Sequence, residues 1–293
     1  MNKVKSGTIS ILGKPNTGKS TLINALTGRK ISAVSDKPNT TRNKILGVLN
    51  SKEYQILFLD TPGIHKSNKF LNRIMVQSSI QAITESDISM VLIDGSKSIT
   101  ENDYEVINKV KDKKSFVVIN KIDLIKKSKI LKIVDSLKSQ FLFIDNFLPI
   151  SALEEEGLEL LIDEIVKMLP SQEKILPDDY ITDQPEKFYL SEIIREKIFN
   201  NYYEEVPYRT AVVVESIEDK KKVTKVNAYI IVENVHHKQI ILGKAGSMIK
   251  KIGIESRLDI EQFFHCKVYL DLRVKIDSTW LRSKEKAFTY SEI

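Results

Sequence analysis

Short apolar runs alternate with segments of helical periodicity through the first half of the chain. The apolar runs predict strands at Thr8–Leu12, Ile45–Leu49, Gln55–Leu59, Ile88–Ile93, Phe116–Ile119 and Phe147–Ile150. Apolar residues at helical spacing predict a first helix that follows a Gly-rich turn after Leu12 and ends at Ala25. The same spacing predicts helices at Leu71–Thr84, Glu101–Val110, Ile130–Leu142 and Leu158–Leu169. Strands that alternate with helices predict a mostly parallel sheet with helices on both faces. Ile45–Leu49 and Gln55–Leu59 are adjacent runs and predict an antiparallel hairpin within that sheet.

The pattern changes after Pro170, where Pro177 and Pro185 interrupt the periodicity. This change predicts a first domain, a linker and a second domain, which we place at 1–172, 173–186 and 187–293. In the second domain the pattern predicts a helix at Lys187–Asn201, strands at Arg209–Ser216, Lys225–Glu233 and Gln239–Leu242, a helical segment to about His265 and a strand at Lys267–Val274.

The composition is that of a globular protein with room for two cores. The chain has 293 residues, of which 42% are hydrophobic and 29% charged, and these fractions exclude the disordered and fibrous classes. The single cysteine, Cys266, cannot form an internal disulfide and fits a reducing compartment. We expect a cytosolic protein, because no apolar run reaches the length of a membrane span and residues 1–5 lead into no secretory hydrophobic region.

The net charge of +6 indicates little as a total, because both predicted domains contribute to it. Its local distribution is more informative. Residues 220–251 hold eight lysines, one acidic residue, Glu233, and the pair His236-His237. Such a segment is either a solvated lysine-rich surface or, if a nucleic-acid-binding loop lies inside it, a phosphate-binding surface.

A phosphate-binding motif follows the first predicted strand. Gly13–Ser20 reads Gly-Lys-Pro-Asn-Thr-Gly-Lys-Ser, a pattern whose glycines let backbone N–H groups surround phosphates at a helix N-terminus. Lys19 is expected to reach the β- and γ-phosphates, and Ser20 to ligate Mg²⁺. Lys14 and Thr17 occupy variable positions of the motif, and we expect neither residue to impair nucleotide binding. The motif predicts a nucleoside triphosphate and Mg²⁺ as ligands, bound in part through Asn16, Gly18, Lys19, Ser20 and Thr21.

A second phosphate motif, Asp60-Thr61-Pro62-Gly63, follows the predicted strand Gln55–Leu59. A carboxylate at this end of a strand is suited to hold Mg²⁺, so we assign Asp60 to the metal together with Ser20. The Gly63 N–H is expected to bond the γ-phosphate and to lose that bond on hydrolysis.

The segments beside these motifs predict a loop that responds to the bound triphosphate and a slow rate of triphosphate hydrolysis. One of the two threonines Thr40 and Thr41 is expected to close over Mg²⁺ when the triphosphate is bound. We favour Thr41, because related GTPases carry this threonine just before a basic residue, here Arg42. We therefore predict Lys19, Thr41 and Gly63 as the catalytic group. Ile64 stands where Ras-like enzymes place the glutamine that orients the attacking water, so we expect slow intrinsic hydrolysis.

The base is predicted by Asn120-Lys121-Ile122-Asp123, directly after the strand Phe116–Ile119. The Asp123 carboxylate is able to accept hydrogen bonds from both guanine N1–H and the exocyclic amine, which adenine does not offer. Asn120 is expected to brace the loop, and the stem of Lys121 to cover the base. Ser151 and Ala152 follow the next strand and are placed for a backbone contact to the guanine oxygen. Together these motifs indicate a GTPase of the translation-factor type.

The lysine-rich segment contains a Gly-x-x-Gly loop, Gly243-Lys244-Ala245-Gly246, between an apolar run and a helical pattern. Alone, such a loop is most often a simple turn. The lysines beside it and the helix–strand–strand–helix–helix–strand order of a KH domain favour an RNA groove for about four nucleotides. We predict RNA contacts at Gly243, Lys244, Ala245, Gly246, Lys250 and Lys251.

A GTPase domain, a short linker and a C-terminal KH domain resemble the Era family of bacterial GTPases, of the TrmE-Era-EngA type. Stretches outside the nucleotide motifs carry the same resemblance, among them Pro38–Arg42, Asp179–Asp183, Ser191–Lys197 and Ile252–Ile254. The resemblance implies an α/β P-loop GTPase domain followed by a smaller α+β KH type II domain. It also implies GTP, GDP and Mg²⁺ as ligands, binding near the 3′ end of 16S rRNA on the small (30S) ribosomal subunit, a role in 16S maturation and 30S assembly, and peripheral association with the inner membrane. We expect a monomer.

The leading hypothesis is a switch in which GTP orders the loops Lys30–Arg42 and Gly63–Phe70. Their rearrangement would reposition the KH domain through the segment Pro170–Pro185. One alternative is an RNA chaperone in which hydrolysis is incidental. Another is a membrane-recruited signalling GTPase, in which the lysine-rich segment meets anionic lipid.

Overall fold

The computed structural model describes residues 3–34, 45–60, 80–144, 146–180, 182–220, 223–283, 286 and 289–290. The described residues form two compact units, the first ending at Asp183 and the second beginning at Gln184. No helix among these residues is long and apolar enough to cross a membrane.

The first unit is a mostly parallel sheet whose strands follow the order β2-β3-β1-β4-β5-β6, with β7 paired to β1. Its strands are β1 (Val4–Gly13), β2 (Ile45–Asn50), β3 (Tyr54–Asp60), β4 (Ile88–Asp94), β5 (Ser115–Asn120), β6 (Phe147–Pro149) and β7 (Ser171–Gln172). Its helices are α1 (Lys19–Thr27), α2 (Glu101–Asn108), α3 (Lys127–Gln140) and α4 (Leu158–Met168). Residues 80–85 are also helical, whereas the rest of the helix predicted at Leu71–Thr84 lies outside the described residues.

Helices cover both faces of this sheet. Side chains of α1 and α4 pack with one set of strand residues, and side chains of α2 and α3 pack with another. Strands β4 and β5 are buried along their whole length, which explains why they are continuous apolar runs in the sequence. The predicted hairpin is confirmed, since β2 pairs antiparallel with β3 and Leu46 lies opposite Leu59.

The second unit is a smaller α+β fold with the order of elements predicted for a KH domain. It consists of α5 (Glu186–Asn201), β8 (Thr210–Lys220), β9 (Val223–Val232), α6 (Val235–Leu242), α7 (Ser247–Phe264) and β10 (Val268–Ile276). Strand β9 is central, antiparallel to β8 and parallel to β10. The helices and strands share one core that includes Ile193, Ile230 and Ile252.

The strand predicted at Gln239–Leu242 is wrong, because these residues are the end of helix α6. Asn234 caps that helix, its side-chain oxygen accepting a hydrogen bond from the His237 N–H at 2.8 Å. The helix then ends at Gly243. A short apolar run does not by itself distinguish a strand from a short helix, and the cap decides the outcome here.

The last residues of the first unit, 174–180 and 182–183, are hydrogen-bonded along the β2–β3 hairpin; we call them the connecting segment. Lys174 Nζ donates to the Ser51 carbonyl at 2.6 Å, and Asn50 Nδ2 donates to the Tyr180 carbonyl at 3.1 Å. At the far end, Leu46 N donates to Asp183 Oδ1 at 3.2 Å. Much of the predicted linker therefore lies against the first unit. The predicted boundaries at 172 and 187 remain a proposal.

Candidate nucleotide and RNA sites

The predicted phosphate loop lies between the end of β1 and the start of α1. Gly18 precedes the helix with φ 95°, and a Cβ atom there would lie 2.3 Å from Asn120 Nδ2. Only glycine allows both this left-handed backbone and this close approach. The N-terminus of α1 thereby faces the loop with its partial positive charge, as phosphate binding requires. Thr21, also predicted to bind nucleotide, is half-buried on the first turn of the helix.

Lys19 holds a buried ammonium group inside this loop. It is 6% exposed, and its Nζ donates to the carbonyl oxygens of Gly13 at 3.3 Å and Lys14 at 2.9 Å. Burial lowers the pKa of Lys19 to about 8, against the opposing effect of the Asp60 carboxylate. An ammonium so poorly hydrated interacts strongly with phosphate oxygens, because little water competes or screens.

Ser20 and Asp60, the described residues predicted to hold Mg²⁺, lie together. The Ser20 hydroxyl donates to Asp60 Oδ2 at 3.1 Å, and Asp60 is fully buried at the end of β3. Hydroxyl and carboxylate oxygens are the hard ligands that Mg²⁺ prefers, so the donor set fits the ion. Sequence reasoning missed Ser32, whose hydroxyl donates to the same Asp60 oxygen at 2.8 Å and orients the carboxylate.

Asn120 braces the predicted base-binding loops against the phosphate loop. It is 2% exposed; its Nδ2 donates to the Thr17 carbonyl at 2.8 Å, and its Oδ1 accepts from the Ala152 N–H at 2.9 Å. One side chain thus connects three loops. The Ala152 N–H thus donates its hydrogen bond to Asn120. A backbone contact from Ser151-Ala152 to a guanine oxygen remains a prediction.

Asp123 is exposed and oriented by Ser151. The Ser151 hydroxyl donates to Asp123 Oδ1 at 2.6 Å and accepts from the Glu154 N–H at 3.1 Å. Ser151 itself is fully buried, so it offers a fixed partner for an accessible carboxylate. The arrangement suits a carboxylate that accepts hydrogen bonds from a bound base, which is the role predicted for Asp123.

Lys121 has a buried carboxylate partner that sequence reasoning missed. Its Nζ donates to the Asn16 carbonyl at 2.8 Å and to Asp94 Oδ2 at 2.9 Å. Burial would raise the pKa of Asp94, but hydrogen bonds from Ser96 and Lys121 hold that pKa below its usual value. Asp94 lies at the end of β4, outside every motif, and only the parallel neighbours β4 and β5 bring it beside Lys121.

Thr41, Gly63 and Ile64 lie outside the described residues. The predicted roles of Thr41 in Mg²⁺ binding and of Gly63 at the γ-phosphate therefore remain predictions. The same holds for the slow hydrolysis expected from Ile64.

The Gly-x-x-Gly loop joins α6 to α7 in the second unit. Gly243 has φ 70°, and a Cβ atom there would lie 2.6 Å from the Cγ of Met248. Ala245 and Gly246 also have positive φ values, 51° and 77°, which bend the chain sharply before α7 begins. Lys244 and Ala245 are exposed, so this part of the loop is accessible to a nucleic-acid backbone.

Lysines surround this loop at the surface. The predicted RNA contacts Lys244, Lys250 and Lys251 are all exposed, and Lys251 Nζ lies 3.8 Å from Glu255 Oε1. Ile252, on the opposite side of α7, is fully buried. The helix thus holds its basic side chains outward by packing its apolar side inward.

The fold and the two sites define a class: a P-loop GTPase domain followed by a KH domain. The family of 50S ribosome-binding GTPases matches residues 8–121, and the KH domain family matches residues 205–281. GTPase Era of Syntrophus aciditrophicus is 40% identical over 294 residues, covering 98% of this chain and 96% of its own. GTPase Era of Trichlorobacter lovleyi is 43% identical over 278 residues, covering 94% of each chain. The chain belongs to the Era family of GTPases.

Solved structures agree with this assignment. A structure of Era in complex with MgGDPNP and nucleotides 1506–1542 of 16S ribosomal RNA has a TM-score of 0.94 and 38% identity, covering 98% of both chains. A variant of Aquifex aeolicus Era bound to GDP·AlF4⁻ also has a TM-score of 0.94, with 37% identity, covering 98% of this chain and 99% of that one. The α/β GTPase fold followed by a KH domain is therefore confirmed.

Proposed function

We propose that this GTPase is a switch that binds 16S rRNA near its 3′ end and assists rRNA maturation and assembly of the 30S subunit. One observation carries the proposal: a nucleotide site and a basic Gly-x-x-Gly surface occur in one chain. The match in fold to Era bound to MgGDPNP and a 16S fragment, over 98% of both chains, supports it.

Within this proposal GTP, GDP and Mg²⁺ are the ligands of the first unit. Ser20 and Asp60 would hold the Mg²⁺, with Thr41 as a further predicted ligand, and the ion would neutralise charge on the phosphate oxygens. Lys19 binds the phosphates, and Asp123 selects guanine. Because Ile64 cannot orient water, hydrolysis is slow until a partner binds.

The connecting segment supports a coupling between nucleotide state and RNA binding. Gln55 of β3 is fully buried, and its side-chain amide uses all four of its hydrogen-bonding positions. Oε1 accepts from Ile175 N at 2.7 Å and Leu176 N at 2.9 Å, while Nε2 donates to the Leu176 carbonyl at 2.8 Å and to Asn50 Oδ1 at 2.7 Å. The segment that continues into the second unit is therefore held by the hairpin.

That hairpin lies between the two predicted switch loops in the sequence. Strand β2 starts shortly after Thr41, and β3 ends at Asp60, immediately before Thr61-Pro62-Gly63. A change in either loop on GTP binding would act on the hairpin, and the hairpin would act on the connecting segment. The hairpin therefore gives the switch hypothesis a physical connection between the nucleotide site and the segment that leads to the second unit.

Substitution of Gln55 tests this route. Gln55→Leu keeps the side-chain size but removes all four hydrogen bonds. We expect the GDPNP-bound and GDP-bound forms of this variant to bind RNA with equal affinity. Its affinity for GDP should be unchanged. Gln140→Leu, an exposed change at the end of α3, is the control. Retained nucleotide dependence in Gln55→Leu would exclude the connecting segment as the route.

GTP turnover with and without an oligonucleotide from the 16S 3′ end separates the switch from the RNA chaperone. We expect the oligonucleotide to change the turnover rate of the purified protein. Rapid turnover without any partner would overturn the slow-enzyme prediction. An RNA that binds without changing turnover would favour the chaperone.

We also propose that the protein is a monomer and that it associates peripherally with the inner membrane. Both proposals rest on the family resemblance alone. Sedimentation of the purified protein tests the first. Flotation with vesicles containing anionic lipid tests the second, and a random-sequence oligonucleotide distinguishes lipid or general polyanion binding from a KH groove. The groove should discriminate among sequences, whereas a lysine-rich surface should not.

A further inference from the structure

Lys14 forms a largely buried ion pair at a position where the phosphate-loop motif accepts any residue. Its Nζ donates to Asp103 Oδ2 at 2.6 Å and to Thr100 Oγ1 at 3.0 Å. The Asp103 side chain is 3% exposed and that of Lys14 is 23% exposed. The pair connects the phosphate loop to the start of α2. A variable position of the motif gave no reason to expect a role for Lys14 in nucleotide binding, and this contact gives one.

Asp103 is a fixed partner for this lysine. Its Oδ2 also accepts from Thr100 N at 2.8 Å and from Thr100 Oγ1 at 2.9 Å, which is the capping contact of α2. The helix packs through Val106 and Ile107, 2% and 0% exposed, in one cluster with Leu12 of β1. The position of the Asp103 carboxylate is therefore determined by the helix cap and the core.

The backbone of Lys14 contacts the residues that form the phosphate site. Its carbonyl accepts from Lys19 Nζ at 2.9 Å and from Thr17 Oγ1 at 3.1 Å. Residue 14 thus contacts Asp103 through its side chain and Lys19 through its backbone. We propose that Lys14 and Asp103 are positioning residues that hold the phosphate loop, and with it the Lys19 ammonium, in the geometry that binds nucleotide phosphates.

The proposal concerns guanine-nucleotide binding and does not depend on RNA. Lys14→Met keeps the length of the side chain, removes its charge and leaves Asp103 buried without its cation. Without the ion pair the phosphate loop is no longer held in place. A fluorescent GDP analogue should then dissociate roughly tenfold faster, since small displacements of binding groups have large effects on ligand binding. Lys14→Arg retains the donors to the carboxylate and should release GDP at nearly the wild-type rate. Lys111→Met, an exposed lysine just after α2, is the matched control.

Asp103→Asn provides a second route to the same result. It keeps an acceptor for the Thr100 N–H but removes the carboxylate opposite Lys14, so faster GDP release is again expected. The double variant Lys14→Met/Asp103→Asn leaves no unpaired charge and should release GDP no faster than either single variant.

Two results would overturn the proposal. One is GDP release within about twofold of wild type in both Lys14→Met and Asp103→Asn, the range expected of surface substitutions. The other is a lower unfolding temperature with unchanged GDP release, which would assign the pair to the stability of the domain alone.

Discussion

The side chains of the nucleotide site are mostly buried and hydrogen-bonded to one another, whereas those of the Gly-x-x-Gly surface are exposed. Lys19 and Asn120 are 6% and 2% exposed, and each contacts a carbonyl of the phosphate loop. Lys244 and Lys250 are exposed, one on the Gly-x-x-Gly loop and the other on α7. Because each side chain of the first region is held by several others, single substitutions there should have large effects. The second acts through summed charge, so single substitutions should have small effects that depend on salt.

The largest effect is expected at Asp123, which we assign to base recognition. In Asp123→Asn the amide would lose the paired acceptors for guanine and gain a donor for the 2-oxo group of xanthine. The ratio of GDP to XDP affinity should fall by about 10³, since sites built on paired hydrogen bonds discriminate strongly. Competition with a fluorescent nucleotide measures the ratio. Asp135→Asn, exposed on α3, is the control. An unchanged preference for GDP would remove Asp123 from base recognition.

A large effect is also expected at Asn120. Asn120→Ala removes two buried hydrogen bonds and leaves the Thr17 carbonyl and the Ala152 N–H without this partner. At about 1–3 kcal/mol for each buried group left unpaired, GDP affinity should fall about 100-fold. Isothermal titration measures it. The matched change Asn108→Ala is at an exposed position of α2 and should leave affinity unchanged. A loss of less than about threefold in Asn120→Ala would contradict the role of Asn120 in bracing the nucleotide site.

A smaller effect is expected at Asp94, because we expect it to act on the nucleotide indirectly, by holding Lys121. Asp94→Asn keeps the shape of the side chain but weakens the hydrogen bond that holds the Lys121 ammonium. We expect GDP affinity to fall about tenfold, the value of a charge-assisted hydrogen bond. Asp112→Asn is an exposed control. Equal GDP affinities in the two variants would show that Asp94 does not position Lys121.

The smallest effects are expected at the RNA surface. Lys244→Ala and Lys250→Ala should each weaken binding of a 16S 3′-end oligonucleotide about threefold and make it less dependent on salt, as loss of one phosphate contact does. GDP affinity should not change. Lys267→Ala, 79% exposed beyond the other end of α7, is the control. A loss above about 100-fold for one lysine would break the contrast between the regions.

The motifs of the nucleotide site could be read from the sequence because phosphate and base binding require particular residues at fixed spacing. The alternation of strands and helices also predicted strands β1 to β6 of the first unit correctly, since buried parallel strands are continuous apolar runs. In the second unit the order of elements was predictable, but Gln239–Leu242 was assigned to the wrong structure. A run of four residues carries too little periodicity, and the deciding contact comes from the Asn234 cap.

The supporting residues could not be predicted. Asp94, Asp103 and Ser32 are ordinary polar residues at positions without a motif, and they become informative only when the fold brings them beside Lys121, Lys14 and Asp60. The same is true of Gln55, which in sequence is one polar residue at the start of an apolar strand. Its partners in the connecting segment, Ile175 and Leu176, lie about 120 positions further along the chain.

The affinity of the wild-type protein for an oligonucleotide from the 16S 3′ end, measured with GDPNP and with GDP, tests the central claim that the two regions form one switch. We expect the GDPNP form to bind the oligonucleotide more tightly than the GDP form by at least about fivefold, the lower range of allosteric coupling. Equal affinity in the two nucleotide states would contradict it.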